Sequence, residues 1–153
     1  HWFNYGVTNQ GELLSGEKNL ADIGLADINP DKQWLLLIYV PSDCNAFCLS
    51  ALKSVNNTYV ALGKEMPRVT PVLLTDGESS TDLNAHILVH KWQKQNMPSA
   101  AKTLLTPSNI VVVDPLNNLV LSHQIPSSSD ALPAFGKAVL ADMKKLLKYS
   151  RIG

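Results

Sequence analysis

A run of seven residues, Trp34 to Val40, is almost continuously apolar and stops at the turn-forming sequence Pro41-Ser42-Asp43. Apolar runs of this length that end in turn residues are typical of a β-strand that is buried on both faces of a sheet. A strand of this kind requires a packed layer on each side of it. We therefore expect a sheet with helices on both of its faces.

The rest of the chain alternates between patterns typical of helices and patterns typical of strands. In chain order, the predicted elements are a helix from Cys44 to Leu62 that ends at Gly63, a strand from Val69 to Leu74, a helix from Asp82 to Gln93, a strand from Ile110 to Val113, a turn at residues 114–118, a hairpin strand from Leu119 to Ser122 and a helix from Ser129 to Tyr149. This order predicts an α/β fold of the thioredoxin-like type, with a central mixed β-sheet flanked by helices.

The length of the chain fits a single domain, because 153 residues leave no room for two full domains of about 150 residues each. Residues 1–33 are polar and contain turn sequences, and we expect an N-terminal extension or hairpin there. Residues 34–153 form the predicted core. A chain of this length can bury a sizeable core without a dense disulfide framework, so its two cysteines are free to be functional.

The charge of the chain argues against one class of partner. Thirteen basic and thirteen acidic side chains give a formal net charge of zero, which argues against binding to nucleic acid. The last seventeen residues differ, since they carry five basic residues and one aspartate. Such cations are typical of the solvated face and C-terminal end of a helix, and docking to an acidic partner or to anionic lipid is the alternative.

The N-terminal sequence is rich in aromatic residues. It begins at His1 without an initiator methionine, and Trp2, Phe3 and Tyr5 follow within five residues. Aromatic clusters are common where a membrane helix meets water, and a packing arm is the alternative interpretation. No stretch of eighteen apolar residues is present. We expect the chain to be a fragment whose signal or membrane anchor was removed with a preceding segment.

The two cysteines follow the first apolar strand, at the predicted start of a helix. Cys44 and Cys48 are four residues apart, which places their Cα atoms roughly 6 Å apart on one helix face, within the range that a disulfide accepts. Free N–H groups and the helix dipole favour a thiolate at Cys44, so we predict that it is the nucleophile. Cys48 is then the resolving thiol. Asp43 is the candidate N-cap residue.

The cysteine pair also has two purely structural interpretations. Both residues can be ordinary buried side chains, because free cysteine is among the most buried residue types. The pair can also form a permanent structural disulfide, although its short loop would constrain the unfolded chain only weakly. The position of the pair at the end of a buried strand favours reversible redox or metal chemistry over both.

Residues 35–48 read Leu35-Leu36-Leu37-Ile38-Tyr39-Val40-Pro41-Ser42-Asp43-Cys44-Asn45-Ala46-Phe47-Cys48. This passage from a buried strand into Cys-x-x-x-Cys resembles the signature of the SCO family of cytochrome oxidase assembly proteins, and the resemblance extends over most of the chain. It implies a thioredoxin-like domain in the periplasm or another extracytoplasmic compartment, held at a membrane by an anchor. It also implies a partner, the copper-site subunit of cytochrome c oxidase, whose cysteines such proteins reduce or load with copper.

The resemblance further implies a third copper ligand, a histidine that precedes the strand leading into a Pro-containing turn. When Pro115 is matched to that turn, Thr106 stands at the position of the histidine. The chain departs from the family at this ligand, and after the second strand only Asp76 matches the family's acidic pattern. Reversible dithiol chemistry needs only Cys44 and Cys48, so it survives both departures.

Thr106 and Pro107 have a second meaning, because thioredoxin-like reductases place a cis-proline before this strand, facing the cysteines. We predict that the Thr106–Pro107 bond is cis and that Pro107 lies near Cys44, with its backbone turned toward a substrate peptide. His123, at the end of the hairpin strand, is the alternative third ligand for copper.

The remaining motifs are interpreted as structural. His86 and His90 are four residues apart on a predicted helix, but they do not complete a zinc-protease motif, so we expect a partly exposed surface pair. The glycosylation acceptor sequence that begins at Asn56 lies inside a predicted helix and is interpreted as a chance match. Trp34 and Trp92 are expected to pack against the sheet or its rim.

Three functions are consistent with these patterns. The first is an extracytoplasmic dithiol protein of the SCO type, which acts on protein thiols and disulfides, assists copper-centre assembly and requires no cofactor. The second is a Cu(I)-binding metallochaperone in which Cys44 and Cys48 bind the metal together with His123 or a ligand from a partner. The third is a redox-inactive assembly scaffold.

Overall fold

The computed structural model describes residues 10–15, 17–77, 83 and 92–150. Within them, six strands form one mixed sheet in the spatial order β1-β6-β5-β2-β3-β4. The strands are β1 (Glu12–Leu13), β2 (Trp34–Val40), β3 (Val69–Thr75), β4 (Gln93–Asn96), β5 (Asn109–Val113) and β6 (Leu119–Gln124). The described helices are α1 (Ala46–Ala61), α2 (Leu132–Ser150) and 3-10 helices at Leu20–Ile23, Gly63–Arg68, Ser99–Thr103 and Ser129–Ala131. The predicted α/β fold is confirmed.

β2 lies in the centre of the sheet, as its apolar sequence predicts. It pairs in parallel with β3 and antiparallel with β5. Leu36 and Ile38 point into a core that includes buried side chains of α1 and α2. Leu35 and Leu37 point into a second core on the other face of the sheet. The chain therefore buries an apolar layer on each side of β2.

The strand directions give the sheet two different ends. β2 and β3 run in the same direction, so both stop at one end, which we call the C-terminal end of the sheet. Both begin at the opposite end, which we call the N-terminal end. The β5–β6 turn lies at the N-terminal end, because Val113 pairs with Leu35 near the start of β2. The 3-10 helix Gly63–Arg68 lies there too, since it leads directly into β3.

Two predicted helices differ from the structure. α1 begins at Ala46, two residues later than predicted, because the side chain of Asn45 caps it. The helix predicted from Asp82 to Gln93 falls almost entirely outside the described residues. Its predicted end is wrong, because Gln93 begins β4 and pairs with β3.

Trp34 and Trp92 pack against the sheet, as predicted. Trp34 is fully buried, and Trp92 is buried with its Nε1 donating a hydrogen bond of 2.8 Å to Oδ1 of Asn56. Asn56 is itself buried within α1, so this acceptor sequence does not present its asparagine at the surface. His86 and His90 lie outside the described residues.

α2 is amphipathic. Val139, Met143 and Leu146 are fully buried in the core beneath the sheet. Lys144 and Lys148 lie on the solvated face of the same helix, as predicted. Among the described residues, no helix combines the length and the apolar character needed to cross a membrane.

One buried carboxylate holds the N-terminal segment to the core. β1 pairs with β6, and the residues before β1 approach Asp142 of α2. The N–H groups of Gln10 and Gly11 donate hydrogen bonds of 3.0 and 2.8 Å to this carboxylate. Nε2 of His123 lies 2.8 Å from Oδ2 of Asp142, and because a carboxylate only accepts, Nε2 carries the proton. Asp142 therefore ties the N-terminal segment and β6 to α2.

The environment of Asp142 favours its charged form. Burial alone would raise the pKa of this fully buried carboxyl group. The hydrogen bonds from His123, Gln10 and Gly11 outweigh burial and hold the pKa of Asp142 below its ordinary value. A carboxyl group with a lowered folded-state pKa stabilises the fold above its unfolded pKa, and this stabilisation is lost as the pH falls through the folded value.

We expect Asp142→Asn to destabilise the protein by roughly 3 kcal/mol near neutral pH, because breaking a buried charged network leaves its remaining members unsatisfied. The variant should also lose the contribution of Asp142 to acid sensitivity. Its free energy of unfolding should therefore change less than that of the wild type when the pH is lowered from about 7 to below about 4. Urea unfolding followed by circular dichroism at both pH values measures the two effects.

Asp130→Asn is the matched control, since Asp130 is exposed just before α2. This control should change the free energy of unfolding by no more than about 0.5 kcal/mol. Equal destabilisation by the two substitutions, or a steeper acid dependence in Asp142→Asn, would contradict the role given to Asp142.

Candidate functional site

The chain leaves β2 at the C-terminal end of the sheet and turns directly into α1. The N–H of Cys44 donates a hydrogen bond of 3.2 Å to the carbonyl oxygen of Pro41, which closes a turn. Asn45 then caps the helix, since its Oδ1 accepts a hydrogen bond of 2.9 Å from the N–H of Cys48. The turn and the cap fix the backbone on both sides of Cys44.

Cys44 and Cys48 are joined by a disulfide. Their Cα atoms are 5.3 Å apart, which confirms the distance range predicted from the four-residue spacing. Both side chains are half-buried and pack against the core beneath α1. A reduced pair with this backbone geometry can exchange with another disulfide and close again within one helical turn.

An open cleft lies beside the disulfide, with a volume of about 260 Å³. Cys48 and Pro107 contribute to its walls, together with the apolar side chains of Val40, Phe47 and Ile125. A polypeptide segment that occupied this cleft would contact one cysteine of the pair.

The prediction of a cis bond before Pro107 is wrong, because the Thr106–Pro107 bond is trans. The N–H of Asn109 approaches the carbonyl oxygen of Thr106 at 3.5 Å, so Pro107 occupies the second position of a β-turn. A trans proline fits that position, whereas a cis-proline belongs at the third. Asn109 also holds the turn through its Oδ1, which accepts a hydrogen bond of 2.8 Å from the N–H of Thr106. Pro107 nevertheless lies beside Cys48 in the wall of the cleft.

The structure does not bring His123 to the cysteines. Its ring is 5% exposed, pairs with Asp142 and packs edge-on against Phe135 at a centroid distance of 6.4 Å. In the part of the chain that the structure describes, no three His, Cys, Asp or Glu side chains come close enough to hold a metal ion. This part of the chain therefore offers no third protein ligand beside Cys44 and Cys48.

A hydrogen bond joins the ends of β2 and β3. The hydroxyl of Tyr39 donates to Oδ2 of Asp76 at 2.6 Å. Burial raises the pKa of Tyr39 to about 12, and the carboxylates of Asp76 and Asp43 act in the same direction. Tyr39 therefore stays a hydrogen-bond donor throughout the physiological pH range. The exposed carboxylates of Asp43 and Asp76 make this end of the sheet acidic.

The cap of α1 and the hydrogen bond between Tyr39 and Asp76 are not among the sequence-based predictions, although the sequence contains a signal for each. Asn45 caps α1, whereas the predicted cap is Asp43, which is exposed and two residues earlier. Both residue types are strong N-caps, so sequence alone does not choose between them. The contact of Tyr39 with Asp76 follows from the parallel pairing of β2 with β3, because parallel neighbours end side by side.

A comparison with protein families finds a match over most of the chain. The family described as transmembrane-like, thioredoxin-like, C-terminal domain matches residues 34–150. This range includes β2, the cysteine pair and every later element of the fold. A comparison with curated proteins finds no match.

Several solved structures share the fold. The apo Sco1 protein from Thermus thermophilus is 20% identical with a TM-score of 0.61, over 92% of this chain and 98% of that one. Yeast Sco1 with copper bound is 12% identical with a TM-score of 0.56, over 76% of this chain and 78% of that one. A SCO1/SenC family lipoprotein from Bacillus anthracis is 12% identical with a TM-score of 0.53, over 75% of this chain and 82% of that one. At these identities the likeness establishes a shared fold.

We expect Asn45→Ala to lower the free energy of unfolding of the oxidised protein by about 1 kcal/mol, because it removes the side-chain acceptor of the Cys48 N–H. Asn45→Ser keeps a capping oxygen and should retain most of the stability. Urea unfolding of the oxidised variants measures the difference.

Asn57→Ala provides the control for this experiment, since Asn57 is exposed in the interior of the same helix. Alanine has the highest helix propensity, so the same side-chain change should be neutral or slightly stabilising there. An equal loss of stability at both positions, or no loss at Asn45, would show that the cap does not stabilise the start of α1.

Proposed function

Because this chain belongs to the family of transmembrane-like, thioredoxin-like C-terminal domains, we propose that it exchanges thiols and disulfides with other proteins through Cys44 and Cys48. The observation that carries this proposal is a disulfide between two half-buried cysteines at the start of a helix. Cys44 is half-buried and so partly accessible, and an open cleft reaches its neighbour Cys48, so a partner polypeptide can approach the pair. Access of this kind is what an exchange reaction requires.

The exchange proceeds in two steps. In the reducing direction, the thiolate of Cys44 attacks one sulfur of a partner disulfide and forms a mixed disulfide, while the other partner sulfur leaves as a thiolate. The thiolate of Cys48 then attacks Sγ of Cys44 and releases the second partner sulfur. The partner gains two electrons, and the Cys44–Cys48 disulfide forms. A second protein dithiol restores the reduced pair.

The start of α1 supports this division of roles. Cys44 precedes the cap, where free N–H groups and the helix dipole favour a thiolate. Cys48 lies inside the first turn, and its N–H is already bonded to Asn45. Cys48 is therefore suited to attack Cys44 within the chain. Thr106 and Pro107, in the turn that borders the cleft, are proposed to contact the partner segment.

Copper delivery is the second candidate function, and the shared fold with copper-bound yeast Sco1 favours it. After reduction, Cys44 and Cys48 would supply two thiolate ligands, which suit Cu(I). A third ligand would come from a partner protein, since His123 is bonded to Asp142 and the described residues contain no three-ligand cluster. Dithiol exchange ranks first because Cys44 and Cys48 suffice for it, whereas the copper site would need a further ligand.

We also propose a location outside the cytoplasm and a partner in the assembly of cytochrome c oxidase. Disulfides persist in oxidising compartments, and the fold is shared with a Bacillus anthracis lipoprotein. The resemblance of residues 35–48 to the SCO signature supports the copper-site subunit of the oxidase as the partner. Its paired cysteines would then be the substrate thiols. A membrane anchor preceding this chain fits the same proposal.

Single-cysteine variants test the exchange mechanism. We expect reduced Cys48→Ser to accumulate a mixed disulfide with a peptide that contains an internal disulfide, because the resolving thiol is missing. Cys44→Ser should form no such adduct. Neither variant should release the fully reduced peptide faster than buffer alone, because that release requires both cysteines, whereas each Cys48→Ser adduct frees one peptide thiol and goes no further. Mass spectrometry of the adduct and the time course of release of the fully reduced peptide give the two measurements.

Ser42→Ala, in the exposed turn before Cys44, is the control and should keep the wild-type rate. Adduct formation by Cys44→Ser as readily as by Cys48→Ser would contradict the assigned roles. A wild-type protein that does not reduce the peptide but binds Cu(I), with binding lost in both cysteine variants, would establish the copper function instead. A protein that does neither is a redox-inactive scaffold.

A further inference from the structure

A positively charged surface lies at the N-terminal end of the sheet, opposite the disulfide. Lys64 of the 3-10 helix before β3 lines an open pocket there, together with Lys144 and Lys148 of α2. All three side chains are exposed, and none forms a salt bridge within the described part of the chain. We call these three lysines the basic patch.

The neighbouring charges do not neutralise the basic patch. Nη1 of Arg68 lies 2.9 Å from Oε2 of Glu65, so the one carboxylate of the pocket is already paired. Arg68 also donates a hydrogen bond of 2.9 Å to the carbonyl oxygen of Leu147. Asp27 and Asp31 belong to the segment that packs on the other face of the sheet. The basic patch therefore keeps its positive charge although the whole chain has a net charge of zero.

Exposed apolar side chains lie at the same end of the molecule. Val60 near the end of α1 is 40% exposed, and Tyr149 near the end of α2 is 48% exposed. Leu116, in the β5–β6 turn, is 63% exposed. Among the described residues, Leu13 is the only other large apolar side chain of comparable exposure. Nζ of Lys148 lies 5.4 Å from the centre of the Tyr149 ring, so charge and aromatic surface are in contact.

We propose that the basic patch binds the surface of a membrane that contains anionic lipids. Lysine side chains can lay their alkyl stems along apolar surface while their ammonium groups reach the headgroup charges. Tyrosine is enriched at the membrane–water interface because its ring is apolar and its hydroxyl is polar. A lipid surface engages the lysines and the exposed apolar side chains at once, through its headgroups and its interface. An acidic protein or a nucleic acid is the alternative occupant, which the vesicle experiment distinguishes.

Membrane binding through the basic patch orients the domain. The exposed carboxylates of Asp43 and Asp76 lie at the C-terminal end of the sheet, with the disulfide. An anionic surface attracts the basic patch and repels these carboxylates. The Cys44–Cys48 pair consequently faces away from the lipid. This inference does not depend on the reaction proposed for the cysteines.

The test uses the oxidised protein and vesicles of phosphatidylcholine with or without phosphatidylserine, separated by sedimentation. We expect binding only to the vesicles that contain phosphatidylserine, and weaker binding at high salt. The triple variant Lys64→Gln, Lys144→Gln, Lys148→Gln should bind roughly a hundredfold more weakly, about fivefold for each lysine removed. Tyr149→Ala should weaken binding without any change in charge.

The matched control is the triple variant Lys53→Gln, Lys102→Gln, Lys137→Gln, which makes the same charge change at exposed positions that do not line the pocket of the basic patch. It should keep most of the affinity. Equal losses in the two triple variants would overturn the patch, because net charge alone would then govern binding. Absence of binding to the anionic vesicles would overturn the lipid assignment. Binding to polyglutamate or RNA in that case would identify an acidic protein or a nucleic acid as the occupant instead.

Two further measurements separate membrane binding from folding and from redox chemistry. Thermal unfolding of both triple variants should match the wild type, since all six lysines are exposed. Cys44→Ser should bind vesicles as the wild type does. Its failure to bind would mean that the disulfide end of the molecule contacts the lipid, which contradicts the proposed orientation.

Discussion

β2 is buried on both of its faces, so its backbone N–H and C=O groups depend on hydrogen bonds to β3 and β5. A shift of one residue in register would exchange the side chains that face the two cores, which makes the register strict. Where β2 ends, the chain must satisfy the first N–H groups of α1 within a few residues. The turn at Pro41 and the cap at Asn45 do this, and they set the position of Cys44 and Cys48.

The parts of the fold that depend on local patterns can be predicted from the sequence. β2, β3 and the β5–β6 hairpin are predictable because buried strands leave nearly continuous apolar runs. The separation of Cys44 and Cys48 is predictable because helix geometry fixes the distance between residues that are four apart in sequence. The contact of Gly11 with Asp142 spans 131 residues and leaves no local pattern. Polar contacts of this kind form only when the complete fold brings distant residues together. The sequence therefore offers His123 as a candidate copper ligand without revealing its contact with Asp142.

The bond before Pro107 shows how one buried side chain overrides an expectation taken from a fold family. Asn109 is buried, and its amide donates hydrogen bonds to the carbonyl oxygen of Leu104 at 2.9 Å and to the hydroxyl of Ser122 at 3.1 Å. Its Oδ1 accepts from Thr106 and closes the turn around a trans proline. Because a buried amide must satisfy its polar atoms, these contacts fix the turn. The sequence Thr106-Pro107 does not by itself reveal these hydrogen bonds, so it does not distinguish a cis from a trans proline.

The two proposed activities lie at opposite ends of the sheet. β2 has seven residues, so its two ends are roughly 20 Å apart. The Debye length at physiological ionic strength is about 8 Å, so lipid charge at the basic patch is largely screened at the disulfide. Membrane binding therefore changes the orientation of Cys44 and Cys48 without changing their electrostatic environment. A partner domain that extends from the membrane would meet the cleft from the side opposite the lipid, where the apolar walls around Cys48 are open.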